Sequence, residues 1–201
     1  MKTKSACKIR TEKKVEKKTI EKKSDRKIEF QKEFGLLPRE KTMLLGISVP
    51  LTEKNGFDLF LEILPGLEVL NLQIALLGVG SDKFRKIFWE FARENRTEVV
   101  ILEDCEKNLQ KLHAATDAQF FPIFNAETKT QLQESLNFEV VPIAPEKFAK
   151  VCQNYDPNLE SGNSFLFADE NPFAAFASLV RATEVFRFPF DWKNIARAAR
   201  G

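Results

Sequence analysis

Apolar residues in this chain gather into short continuous runs separated by segments of helical spacing. Met43-Leu-Leu-Gly-Ile-Ser-Val49 is the first run and Leu72-Gln-Ile-Ala-Leu-Leu77 the second. Both have strand length and little polar interruption, the pattern of a strand covered on both faces. Between them Phe57, Phe60, Leu61 and Leu64 recur at helical spacing, with Asp58 and Glu62 on the other side. The second run ends in Gly78-Val-Gly80, and a new helix pattern starts at once. Strand, helix, strand, glycine turn and helix form a βαβ unit, which predicts a parallel sheet with right-handed crossovers.

The alternation continues to the end of the chain. Asp82–Asn95 is amphipathic, with Phe84, Ile87, Phe88 and Phe91 on one face. Further strands are predicted at Glu98–Leu102, Ala118–Pro122, Val140–Ile143 and Ser164–Phe167. Helices are predicted at Glu106–Ala115, Glu127–Phe138, Pro172–Val185 and Asp191–Arg200, with a short one at Pro145–Cys152. Ahead of the first strand, Asp25–Phe34 carries Ile28, Phe30 and Phe34 and stops at Gly35, a helix-ending residue. The fold class this implies is α/β, a Rossmann-like doubly wound parallel sheet of about six strands.

Charge divides the chain in two. Residues 1–30 hold 12 Lys/Arg and 5 Asp/Glu, a balance of +7, while residues 31–201 carry a balance of −5. The overall net charge of +2 hides this split. Residues 1–24 are Lys-, Glu- and Thr-rich with almost no apolar side chains, so they are expected to form a basic disordered arm preceding a domain at 25–201. The arm has no interleaved aromatics for base stacking, which argues against a nucleic-acid partner. No apolar run is long enough to span a membrane, and no secretory signal pattern is present. Cys7, Cys105 and Cys152 are far apart and odd in number, without a Cys-x-x-Cys pair. This points to the reducing cytoplasm, with no disulfide framework and no metal site.

Candidate chemistry read from the residues alone is sparse. Gly78 and Gly80 can bring backbone N–H groups up to a phosphate at a helix N-terminus. They equally suit a tight strand-to-helix turn, since neither a third glycine at dinucleotide spacing nor a Gly-Lys-Ser/Thr follows. No cofactor motif is present. His113, the only histidine, has no Ser, Cys or second ligand placed nearby in sequence, and is read as a packing or surface residue.

A longer series of landmarks carries a family resemblance. It begins with Lys32-Glu-Phe-Gly-Leu36, Gly46-Ile-Ser-Val-Pro-Leu-Thr-Glu-Lys-Asn-Gly-Phe-Asp-Leu-Phe-Leu-Glu-Ile-Leu-Pro65 and Leu76-Leu-Gly-Val-Gly-Ser-Asp82. It continues through His113-Ala-Ala-Thr-Asp117, Pro122, Thr130-Gln-Leu132, Val141-Pro142, Tyr155-Asp-Pro-Asn-Leu159, Gly162-Asn-Ser-Phe-Leu-Phe167 and Phe186-Arg-Phe-Pro-Phe-Asp-Trp192. From Phe30 onward the chain resembles the C-terminal lobe of bacterial glycogen synthases and plant starch synthases. These are two-lobed (GT-B) retaining glycosyltransferases that use ADP-glucose. The order and spacing of the landmarks carry the resemblance, which implies one lobe of a GT-B fold.

The same comparison removes the expected donor machinery. In the family an Arg and a Lys in the loop after the first strand neutralise the nucleotide diphosphate, where departing negative charge needs fixed cations. Here those positions hold Pro50 and Asn55, with Lys54 one residue early. The family's Glu-Pro-x-Gly turn, whose Glu binds the donor sugar, falls on Phe124-Asn-Ala-Glu-Thr-Lys-Thr-Gln-Leu132. Anchoring on Thr130-Gln-Leu132 puts Asn125 at the Glu position and anchoring on Pro122 puts Ala126 there, while Glu127 is displaced in both. The family's Thr-Gly-Gly loop has no counterpart in Val141–Lys150. No Lys-x-Gly-Gly occurs in the sequence, so the opposite lobe is expected to be missing from it.

The resemblance with these departures implies a glycogen or starch synthase-like domain that has lost its donor-binding motifs and serves as a non-catalytic binding or scaffolding module. The alternative is an ADP-glucose-dependent glucosyltransferase subunit that acts with a separate N-terminal lobe. In that reading Lys54 and Glu127 are the candidate catalytic residues, and Gly78, Gly80, Lys129 and Thr130 the nucleotide-sugar contacts. A separate GT-B N-terminal lobe or a second copy of the chain is the expected partner. A third reading has the basic arm associate with nucleic acid.

Overall fold

The computed structural model describes residues 22–169 and 171–200. The basic arm up to residue 21 lies outside the described residues. Six strands, β1 (Met43–Ile47), β2 (Leu72–Leu77), β3 (Val99–Leu102), β4 (Ala118–Phe120), β5 (Val141–Pro145) and β6 (Phe165–Phe167), form one sheet in the order β3-β2-β1-β4-β5-β6. Every pairing is parallel. Among the described residues seven helices connect and flank them: α1 (Lys23–Glu33), α2 (Phe57–Leu67), α3 (Asp82–Glu94), α4 (Glu106–Ala115), α5 (Ala126–Leu136), α6 (Pro172–Phe186) and α7 (Pro189–Arg200).

The apolar runs form strands because the sheet buries both faces. All five residues of β1 and all six of β2 are buried. Met43, Leu45 and Ile47 of β1 join Leu72, Ile74 and Leu76 of β2 in the larger core, with Phe57 and Phe60 of α2, Phe84 and Phe88 of α3, and Leu179 of α6. The alternate residues Leu44, Ala75 and Leu77 join Phe30 of α1 and Leu112 of α4 in a smaller core on the other face. Five phenylalanines (Phe57, Phe60, Phe84, Phe88 and Phe120) form a continuous ring cluster, with centroids 5.3–6.1 Å apart. Their offset and edge-on packing is the geometry aromatic quadrupoles favour. Packing therefore accounts for much of the chain's wealth of phenylalanine.

Two elements differ from the sequence reading. Pro145–Cys152 is no helix: Pro145 closes β5, and only a 3-10 turn at Glu146–Phe148 follows. Helix α1 begins at Lys23, two residues early, and does not dock by an apolar stripe alone. Ile28 is only half-buried, whereas Lys27 and Gln31 are fully buried with Phe30.

The burial of Lys27 has a complete chemical account. Its Nζ donates to Asp117 Oδ2 at 2.6 Å, to Thr42 O at 2.6 Å and to Glu40 O at 3.0 Å. Three donors meet three acceptors, so the buried ammonium leaves no proton unpaired. Asp117 Oδ2 also accepts from the Leu44 N–H at 2.8 Å. Gln31 donates to Gln73 Oε1 at 2.6 Å, and Gln73 donates on to Leu37 O and Thr97 O. One turn before Lys27, Lys23 donates to the Phe138 and Glu139 carbonyls, and burial pushes its amine down to about 8. Helix α1 is thus bolted across the amino ends of β1, β2 and β4.

Removing one member of a buried ion pair strands the other without its counter-charge. Lys27→Met is expected to cost about 3–5 kcal/mol, read as a lowered urea midpoint. Lys111→Met removes the surface pair with Glu33 and is expected to cost less than about 1 kcal/mol. Equal losses in the two variants would contradict this account of α1.

Candidate functional site

In an open parallel sheet, ligands bind beyond the carboxyl ends of the strands where strand order reverses. Here that point lies between β1 and β4, which are neighbours in the sheet although three crossovers apart in sequence. Two segments line the crevice: the loop from Ser48 to Gly56 after β1, and the turn from Phe121 to Asn125 that opens α5.

The β1 loop is held down along its length. Val49 and Leu51 are buried without exposure. Leu51 N–H donates to Val79 O at 2.8 Å, and Ser81 N–H donates to Leu51 O at 3.0 Å. Gly80 adopts φ +146°, and a Cβ there would stand 2.3 Å from Leu51 O. Gly78 N–H donates to Leu102 O at 2.8 Å. The glycine turn thus serves the approach of one backbone to another, and the Gly78 and Ser81 amides are spent within the protein. Lys83 at the head of α3 reaches Asp58 at 3.0 Å and Glu53 at 3.2 Å, which raises its amine above the ordinary lysine value.

Asn55 is the buried polar centre of the crevice. Its Nδ2 donates to Pro50 O at 2.9 Å and to Glu127 Oε2 at 3.1 Å. Its Oδ1 accepts from Asn125 Nδ2 at 2.9 Å, and the same Nδ2 donates to Lys54 O at 3.0 Å. Asn125 is the N-cap of α5. Its Oδ1 accepts from Thr128 N–H, and Thr128 Oγ1 accepts from Asn125 N–H, both at 2.9 Å. This reciprocal pair satisfies two backbone donors around the helix start.

The sequence-derived candidates therefore fall in one neighbourhood with different roles. Glu127 is half-buried and joined to Asn55. The Lys54 side chain is exposed and only its carbonyl meets Asn125. Lys129 is exposed one turn into α5, and Thr130 Oγ1 turns back onto Ala126 O at 3.0 Å. Among the described residues, no ion pair links Lys54 or Lys129 to Glu127. Gly78 and Gly80 approach the loop through Leu51. Sequence reading registered Asn55 and Asn125 as departures from a pattern but missed that they bind each other. The one local signal was Asn125-x-x-Thr128 ahead of a helix, a capping pattern.

Beneath the crevice lies a buried polar network that the sequence did not reveal. Gln119, in β4, accepts from Ser48 Oγ at 3.1 Å and donates to Thr116 Oγ1 at 3.2 Å, with His113 Nδ1 2.9 Å away. Gly46 makes room for it, since a Cβ there would lie 2.9 Å from Gln119 Cγ. The His113 ring stacks on Phe138 at 5.6 Å. Burial lowers its pKa to about 4, against the partial support of Gln131 and Gln119. His113 is accordingly a neutral core residue, in line with the packing role.

Comparison with known proteins places this geometry. No family model matches the chain. Glycogen synthase 1 of Synechocystis is 28% identical over 187 residues, covering 90% of this chain and 39% of that protein. Glycogen synthase of Fervidobacterium nodosum is 27% identical over 184 residues, covering 90% and 38%. The chain thus spans well under half the length of these curated relatives. Among solved structures, the catalytic domain of starch synthase IV from Arabidopsis thaliana, bound to ADP and acarbose, superposes with a TM-score of 0.74 at 17% identity, covering 89% of this chain and 38% of that one. The C-terminal domain of a group 1 glycosyl transferase from Francisella tularensis gives 0.64 at 12% identity, covering 87% and 89%. The fold is that of one lobe of a GT-B glycosyltransferase.

Two outcomes check the geometry. Gly80→Ala is expected to destabilise more than Gly35→Ala, although both glycines have positive φ. Gly35 has open space around it, so alanine there costs only about 1–2 kcal/mol of backbone strain, whereas at Gly80 the new methyl also collides with Leu51 O. Paired urea titrations decide this. His113 carries a pKa below its unfolded value of about 6.5, so the unfolded chain takes up its proton first as pH falls. Its contribution is present above pH 6.5 and fades between 6.5 and 4, by about 3 kcal/mol. His113→Gln should flatten the pH dependence of the urea midpoint in that window; an unchanged slope would place the proton uptake elsewhere.

Proposed function

We propose that this chain, glycogen synthase-like in sequence and a GT-B lobe in fold, has lost its donor-binding motifs and acts as a non-catalytic binding or scaffolding module. The observation that carries this reading is the Asn55–Asn125 contact at 2.9 Å. By resemblance these are the positions of the donor-site Lys and, anchored on Thr130-Gln-Leu132, of the donor-site Glu. Both are neutral here, and both spend their amides on the protein itself. Pro50 adds no cation at the Arg position, and its carbonyl is taken by Asn55. Lys54 and Lys129 are exposed and stand outside the Arg and Lys positions, so a departing diphosphate would lack the fixed, pre-placed charge that is the larger part of what such a site supplies.

The partner we propose is a GT-B N-terminal lobe on a separate chain, or a second copy of this one. In a two-lobed transferase the site closes only between lobes, which exclude water from the reaction. The segments lining the crevice leave the apolar Phe124 exposed, with Lys54 and Lys129 exposed nearby. Cys105 and Cys152 are free thiols, which agrees with a cytoplasmic setting. Among the described residues no helix is long and apolar enough to cross a membrane.

The second reading is a glucosyltransferase subunit that works only with such a lobe. The exposed Lys54 and Lys129 on either side of the crevice favour it, as displaced cations for a nucleotide sugar. Nucleic-acid binding by the basic arm is a third reading, favoured only by the +7 balance of residues 1–30 and opposed by the acidic domain.

Calorimetric titration of the full chain with ADP and ADP-glucose, with UDP-glucose as control, separates the first two. The expected result is no saturable heat up to millimolar ligand. Saturation in the micromolar range would overturn the non-catalytic reading and favour the subunit reading. Lys54→Ala and Glu127→Gln should then weaken binding tenfold or more, by about 1.4 kcal/mol for each factor of ten.

A further inference from the structure

The crevice is not merely short of cations; its two walls are fastened together. Four side-chain hydrogen bonds cross between the β1 loop and the α5 turn or brace the loop beneath them. Asn55 Nδ2 reaches Pro50 O and Glu127 Oε2, and Asn125 Nδ2 reaches Asn55 Oδ1 and Lys54 O. The residues joined across the walls are 70–72 apart in sequence. A separate packing contact closes the same gap. Gly56 adopts φ +78°, and a Cβ on it would lie 2.9 Å from Pro122 Cβ and 3.1 Å from Ile123 Cβ. The loop therefore presses on the α5 turn by backbone contact as well as by hydrogen bonds.

We infer that Asn55, Asn125 and Glu127 form a latch that fixes the β1 loop against the start of α5 from within, so that the loop is ordered without any ligand and opening it costs these bonds. This deepens the proposed function and rests on it: a crevice latched by its own side chains is one that a donor does not need to order. The chemistry of the latch is neutral amide to carboxylate and carbonyl. Asn55 is buried, so losing its partners leaves polar atoms without water, which is the expensive case. Glu127 contributes in a second way. Its carboxylate lies in the first turn of α5, where the helix dipole favours a negative charge. The protein thereby places its own anion where an external anion would be drawn.

The latch is tested in the full chain without nucleotide by amide hydrogen exchange and urea unfolding of Asn55→Ala, Asn125→Ser and the double variant. Serine keeps an N-cap acceptor for Thr128 but does not reach Asn55 or Lys54, so it removes the two latch bonds that Asn125 makes and spares the cap. The Asn55, Gly56 and Phe57 amides, bonded to the Thr52 and Glu53 carbonyls, are expected to exchange about tenfold faster or more in each single variant. The amides of β1 and β2 should keep their rates relative to global unfolding. The double variant should lose markedly less stability than the two single losses combined, because both remove one shared bond. Loop amides that exchange no faster than in wild type, or losses that simply add, would overturn the latch. A wild-type chain that binds ADP-glucose overturns the proposed function instead, and the exchange experiment reads the latch independently of that result.

Discussion

Asp117 Oδ2 accepts from Lys27 Nζ at 2.6 Å and from the Leu44 N–H at 2.8 Å, and the order of the rest follows from that one oxygen. It stands just before β4, holds the first helix, and touches β1. It therefore fixes, at their amino ends, the two strands that adjoin at the switch point. A buried ion pair of this kind is weak evidence of net stability, since desolvating both charges costs several kcal/mol per ion. What it supplies is register. Every other acceptor of Lys27 is a backbone carbonyl in the segment entering β1, so α1 has one place to sit. The apolar cores on the two faces of the sheet pack around this framework.

The carboxyl ends of the same two strands carry the functional question. A parallel sheet delivers its loops to this edge whatever their chemistry, and here the buried groups that arrive are bonded to one another. Gly80 is spent on the approach of Leu51, Asn125 on its own helix and on Asn55, and Glu127 on Asn55. The sheet, its helices and its cores match a GT-B lobe at a TM-score of 0.74, while on the proposed reading Asn55 and Asn125 serve the protein's interior.

The fold was largely legible because its strands are buried on both faces. Runs such as Met43–Val49 and Leu72–Leu77 carry their strand signal within a few residues. The docking of α1 was not legible for the converse reason. Lys27 and Gln31 are buried by partners 90 and 42 residues away, and periodicity registers only apolar positions. The short helix read at Pro145–Cys152 failed because the chain there makes only a 3-10 turn at Glu146–Phe148 before running toward the bridge at Asn154. At the crevice, Pro50, Asn55 and Asn125 stood out by position. Their partners did not, since a contact across 70 residues leaves no local trace.

On the proposed reading this lobe keeps its crevice for itself. The most direct test of that reading is a backbone amide NMR titration of the full chain with ADP-glucose into the millimolar range, followed at Ser48–Gly56, Gly78–Ser81 and Asn125–Thr130. These resonances are expected to stay where they are, with any shifts small, non-saturating and scattered over the surface. Saturable shifts concentrated in those three segments would contradict that reading and show a donor site still in use.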